Sequence, residues 1–138
     1  MKAPLFSCAF LCTFATLLAA CGPAVKPMPD LFPESAGPWR RTSVRELNPA
    51  EAPDAVPRAS IQQIRAATYE GPGKLDTRVY QMSTSAVALD LVQRWQPAPD
   101  TVFFYADRFF VVVSWQSAER NPLHEFVGML EKRLNAKQ

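Results

Sequence analysis

The sequence offers little on which catalytic or metal chemistry could be built. It has one histidine, His124, and five glycines against thirteen prolines. All three cysteines, Cys8, Cys12 and Cys21, fall within the first 21 residues. A single histidine excludes the His-rich zinc patterns, and neither Glu125 nor Glu131 completes a ligand spacing with it. No Gly-rich phosphate loop is present, and Ser83, Ser85, Ser114 and Ser117 lack the glycine flanks of a nucleophile elbow. Net charge is also small. The formal value is +2, and removing residues 1–20 takes away Lys2 alone, leaving 14 basic against 13 acidic residues. That balance does not suit an electrostatic nucleic-acid binder, so no nucleic-acid partner is expected. With 48% hydrophobic and 20% charged residues, the 138-residue chain has the composition of one globular domain.

The strongest motif is at the amino terminus. Lys2 supplies a positive start, and Leu5 to Leu18 is an apolar run with Ser7, Thr13 and Thr16 as its only polar members. This is about the length of a signal-peptide core of ~7–15 residues. Residues 3–20 are also long enough for a membrane helix, which needs ~17–25 apolar residues. The residues that end the run decide between the two readings. Leu18-Ala19-Ala20-Cys21 resembles the lipobox of bacterial lipoproteins, in which small residues before the cysteine admit the backbone to a lipoprotein signal peptidase. The resemblance implies a signal peptide at 1–20, a diacylglycerol (palmitate-type acyl chains) on the Cys21 thiol, and cleavage between Ala20 and Cys21. Each buried methylene contributes about 0.8 kcal/mol and two chains give stable attachment, so the lipid alone would hold the protein to a membrane. Cys8 and Cys12 leave with the leader, so no disulfide is expected in the mature chain. Gly22 follows the cysteine where an aspartate would favour inner-membrane retention. The expected placement is therefore the cell envelope, at the outer membrane facing the periplasm.

Residues 21–38 contain Pro23, Pro27, Pro29, Pro33 and Pro38 and are expected to form an extended tether, with Leu31 and Phe32 docking on the domain. The domain itself is expected at 39–138, from Trp39 onward. Trp39–Leu47 fits a strand, Asn48-Pro49 breaks it, and Pro49–Val56 permits about one helical turn before Pro53. Ile61–Tyr69 and Leu75–Met82 flank Glu70-Gly71-Pro72-Gly73 and predict a hairpin. After Ser83-Thr84-Ser85, Ala88, Leu91, Val92 and Trp95 recur at helical spacing. Val102–Tyr105 and Phe109–Trp115 are strand-like, turned by Ala106-Asp107-Arg108, and the unbroken apolar run Phe109–Val113 predicts a strand covered on both faces. Asn121 with Pro122 predicts the start of a last helix carrying Leu123, Phe126, Val127, Leu130 and Leu134 on one stripe.

The expectation is an α+β fold, an antiparallel sheet of about five strands with two main helices packed on it. Its element order is similar to that of PsbP-like domains. Leu31-Phe32-Pro33, Gly37-Pro38-Trp39, Val79-Tyr80-Gln81-Met82 and the helix containing Ala86 resemble an uncharacterised lipoprotein domain family of environmental bacteria, Acidobacteria among them. That family implies no activity and no cofactor.

Three functions remain. The leading one is a non-catalytic interaction or accessory module, attached to the membrane through Cys21 and serving an envelope partner. The second is a small-ligand carrier, for which Trp95, Trp115, Tyr80 and Tyr105 are candidate lining residues, although aromatic residues on such faces more often form core. The third is an enzyme, which would bring Asp76 or Asp90 to His124, with Asp100 and Asp107 as further carboxylates. Arg40, Arg41 and Arg45, with Arg58 and Arg65, could face anionic headgroups, but a charged strand edge that deters pairing is the simpler reading.

Overall fold

The structure is a computed structural model that describes residues 30–136. The signal segment and the lipobox, Leu18 to Cys21, lie outside the described residues. The chain forms β1 (Ser35–Ala36), β2 (Trp39–Leu47), β3 (Ile61–Gly71), β4 (Gly73–Met82), α1 (Ser85–Arg94), β5 (Thr101–Ala106), β6 (Phe109–Gln116) and α2 (Arg120–Ala136). These strands make one antiparallel sheet of six in the order β1-β2-β3-β4-β6-β5. The expected α+β class is observed, with six strands rather than about five. The additional one is β1, which pairs Ser35 with Arg40 and Ala36 with Trp39 around a turn with Gly37 at φ +59°. A left-handed backbone there suits a residue without Cβ.

Side-chain alternation divides the sheet into two covered faces. On β6, Val111 and Val113 join Val79, Leu75, Ala67 and Tyr69 beneath Phe126, Leu130 and Leu134 of α2. Phe110 and Val112 point the other way, joining Tyr80, Met82 and Ile64 beneath Ala88 and Leu91 of α1. The apolar run in β6 is thus buried on both sides, as its sequence predicts. Burying each large side chain of α2 contributes about 1.5–3 kcal/mol, which offsets the ordering of that helix. Among the described residues, members of both clusters run from Leu31 to Leu134, so this part of the chain covers both faces of its own sheet.

Packed structure starts ahead of Trp39. Leu31 and Phe32 are completely buried, and two side chains hold the backbone that follows. Arg41 donates to the Phe32 carbonyl, and the Tyr69 hydroxyl donates to the Pro33 carbonyl at 3.0 Å. Burial pushes the Tyr69 hydroxyl up to about 12, against the opposing influence of Arg41 and Arg133.

Pro49–Glu51 supplies the single turn expected before Pro53, as a 3-10 turn closed by a capping box between Asn48 and Glu51, and Arg58–Ser60 forms a second. One local expectation is corrected. Asn121 does not cap the last helix, which begins at Arg120, with the Leu123 amide already donating to the Glu119 carbonyl. Pro122 is still within the first turn, where a missing N–H costs no intrahelical bond. In α1, Thr84 caps as its type predicts, accepting from the Val87 amide at 3.3 Å.

Candidate functional site

The α1 side of the sheet is covered over only part of its area. Cross-strand register sorts this face into rows that grade from apolar to polar. Leu47, Ile64, Tyr80, Phe110 and Tyr105 form one row, most of it under α1 and the Ala52–Val56 segment. The next row is Arg45, Ala66, Arg78, Val112 and Phe103. Beyond it, Ser43, Thr68, Asp76, Ser114 and Thr101 run across five strands as a band of hydroxyls around one carboxylate. The members of these two rows on β2, β3, β4 and β6 floor a half-open groove of about 400 Å³ that reaches Pro53 on one side and Trp95 on the other.

The groove exists because small residues stand where larger ones would fill it. Ala66 separates Arg45 on β2 from Arg78 on β4, two strand spacings or roughly 10 Å apart. Arg45 pairs with Glu51 at 3.7 Å, and the Thr68 hydroxyl donates to Asp76 at 2.9 Å. Thr101 and Ser114 hydroxyls approach to 3.4 Å. Burial pushes the Tyr80 hydroxyl up, while the Arg78 guanidinium hydrogen-bonded to it pulls the other way. Trp95 forms the apolar rim, its ring 4.9 Å from that of Phe110 and 6.4 Å from that of Phe103. The surface therefore offers guanidinium donors, hydroxyls of either sense and an acceptor carboxylate beside aromatic rings. It can hold a polar, extended group by several directed bonds.

The residues singled out in the sequence are dispersed. Asp76 and Asp90 are on the α1 side of the sheet and His124 is on α2, so the sheet stands between them. Asp90 is held by Arg94 at 2.5 Å. Asp100 and Asp107 take positive φ angles at the two ends of β5. The arginine cluster is split by strand alternation and a bulge near Arg41, sending Arg41 to the α2 side and Arg45 into the groove. Arg58 pairs with Asp54. Tyr80 and Trp95 serve core and groove together, Trp115 packs on the α2 side, and Tyr105 is exposed. Ser43, Thr68 and Arg78 are groove residues that no motif marked. The available signal was β4, whose Asp76, Arg78, Tyr80 and Met82 pass from polar to apolar along one face.

On the α2 side, Val102, Trp115, Leu123, Val127, Arg120 and His124 surround a shallower depression of about 330 Å³ beside β5. Among the described residues no group of three His, Cys, Asp or Glu could hold a metal ion, and no helix is long and apolar enough to cross a membrane. No protein family, curated protein or solved structure matches the chain.

Proposed function

We propose that this chain is a lipid-anchored envelope protein whose folded part is a binding module, with the groove on the α1 side as its recognition surface. Residues 1–20 are its signal peptide, Cys21 carries the lipid, and the residues from Cys21 to Asp30 hold the domain off the outer membrane on its periplasmic side. The lipobox residues Leu18, Ala19, Ala20 and Cys21 support the anchoring.

One observation carries the binding role. Arg45 and Arg78 flank a small alanine beside a band of hydroxyls, in a concavity that neither helix covers. Charged and hydroxyl groups left open on a sheet face that is otherwise buried present recognition chemistry without a nucleophile–base pair. The partner that fits is an extended, acidic or polar segment of another envelope protein.

The test uses the native envelope. Cross-linking of the anchored protein should capture one partner, and Arg45→Glu with Arg78→Glu should abolish that capture while Cys21→Ala releases the protein to the soluble fraction. Undiminished capture by the charge-reversed groove would refute the recognition surface. Mass spectrometry finding an unacylated Cys21 or an intact leader would refute the anchoring independently.

The volume of the groove favours a second reading, a small-ligand carrier. Its broad opening to solvent counts against that reading, because carriers enclose most of a ligand's surface.

A further inference from the structure

The two edges of the sheet are treated differently. At one end β1 is only two residues long and lies between Glu34 and a glycine turn, features that blunt an edge. At the other end β5, with the sequence Thr-Val-Phe-Phe-Tyr-Ala, has a neighbour on one side only among the described residues. It contains no charge, no proline and no register shift, so the usual devices against edge-to-edge pairing are missing.

Its hydrogen-bonding phase follows from one contact. The Trp115 amide donates to the Asp100 carbonyl at 3.0 Å, and in an antiparallel ladder every second residue turns its N–H and C=O toward the neighbour. Val102, Phe104 and Ala106 therefore bond to β6, and Thr101, Phe103 and Tyr105 direct their backbone groups away from the sheet. Their side chains lie on the α1 side, where Tyr105 is 40% exposed, one of two large apolar residues so exposed among those described. On the opposite side the same strand borders the depression of Val102, Leu123 and Val127. Unpaired backbone and apolar surface thus meet along one line.

We infer that β5 is a self-association edge, on which a second copy of this chain pairs its own β5 antiparallel to the first. Three outward residues with Phe103 at the centre make the edge self-complementary. A two-fold axis at Phe103 sets Phe103 against its symmetry mate and Thr101 against Tyr105 of the second copy, and every outward N–H and C=O then has a partner. Because Thr101 to Ala106 carries no charge, like meets like without repulsion. The axis keeps both α1 faces on the same side, so the two grooves face one way in a continuous sheet. A foreign acidic or basic strand would find no complementary charge on this edge. This surface is separate from the groove, and its success or failure leaves the recognition reading untouched.

The test is the solution mass of residues 30–138, which contain both core clusters, measured by sedimentation across a concentration series. A monomer–dimer equilibrium is expected, and Tyr105→Lys, at an exposed position, should weaken the dimer at least about tenfold with the circular dichroism and melting profile preserved. Amide hydrogen exchange supplies the register. Phe103 and Tyr105 amides should gain protection with concentration in the parent and lose it in Tyr105→Lys, while Val102 and Phe104 amides stay protected in both. A monomer at every concentration up to the millimolar range overturns the inference, and so does a dimer that Tyr105→Lys leaves intact.

Discussion

The indole nitrogen of Trp39 donates to the carbonyl of Pro122 at 3.0 Å, joining the first residue of β2 to the first turn of α2 across 83 positions of sequence. Trp39 is fully buried, and its ring meets Phe126 edge-on at 6.4 Å. Trp39→Phe keeps most of the packing but removes this hydrogen bond and part of the buried indole. It should lower stability by about 1–3 kcal/mol in urea denaturation, whereas Trp39→Ala should cost about 3–5 kcal/mol. A Trp39→Phe variant as stable as the parent would show that the hydrogen bond contributes nothing of its own.

Glycine substitutions should separate a close approach from a free position. A Cβ on Gly71 would lie 2.4 Å from the Pro38 carbonyl oxygen, where backbone meets backbone and neither can yield. Gly71→Ala should destabilise by about 1–3 kcal/mol, in the range of overpacking. A Cβ on Gly128 of α2 would meet nothing within 4 Å, and Gly128→Ala should raise the melting temperature by restoring roughly 0.5–1 kcal/mol of helix propensity. Differential scanning calorimetry of both variants checks the opposite signs.

Thr77 is completely buried on β4, and its hydroxyl has no hydrogen-bond partner among the described residues; Gln81 Oε1, two turns of the pleat further on, is in the same condition. An unmatched buried hydroxyl carries a desolvation penalty of about 1–3 kcal/mol, and valine has nearly the same shape. Thr77→Val should therefore be neutral or stabilising by up to about 1–2 kcal/mol in equilibrium unfolding. A clear loss of stability would mean that an ordered water satisfies the hydroxyl.

Tyr69 gives the fold an alkaline limit. Burial raises its hydroxyl to about 12 from the ordinary 10, so above pH 10 the unfolded chain gives up a proton that the folded chain keeps. The stability it contributes is complete below pH 10 and is lost as pH rises through 12. Relative to Tyr69→Phe, the parent should lose on the order of 2–3 kcal/mol across that interval. Chemical denaturation at pH 9 and pH 11.5 reads the difference, and parallel pH profiles for parent and variant would contradict it.

How far the sequence discloses this molecule depends on the range of each interaction. The hairpin was legible because Gly71-Pro72-Gly73 interrupts two alternating strands, and β6 declared its central position through five consecutive apolar residues. By contrast, β1 was hidden. Two residues, Ser35 and Ala36, have no periodicity, and their pairing comes from the turn at Gly37-Pro38. The start of α2 was misplaced by two residues because Asn121-Pro122 is a sound cap signal that the Glu119 carbonyl supersedes. The groove was the least legible part. Arg45 and Arg78 are far apart in sequence and become neighbours across Ala66 only when β2, β3 and β4 align in register. A single chain records which residues alternate, but not which strand lies beside which.

Arg41 and Tyr69 grip the carbonyls of Phe32 and Pro33, one residue apart on the strand of chain that arrives from the amino terminus. Both grips sit on the sheet, and Leu31 and Phe32 are wedged beneath them. Tension drawn through the amino-terminal chain would consequently reach this clasp before any ladder between the long strands. The outermost knot takes the strain, and the body behind it keeps its shape.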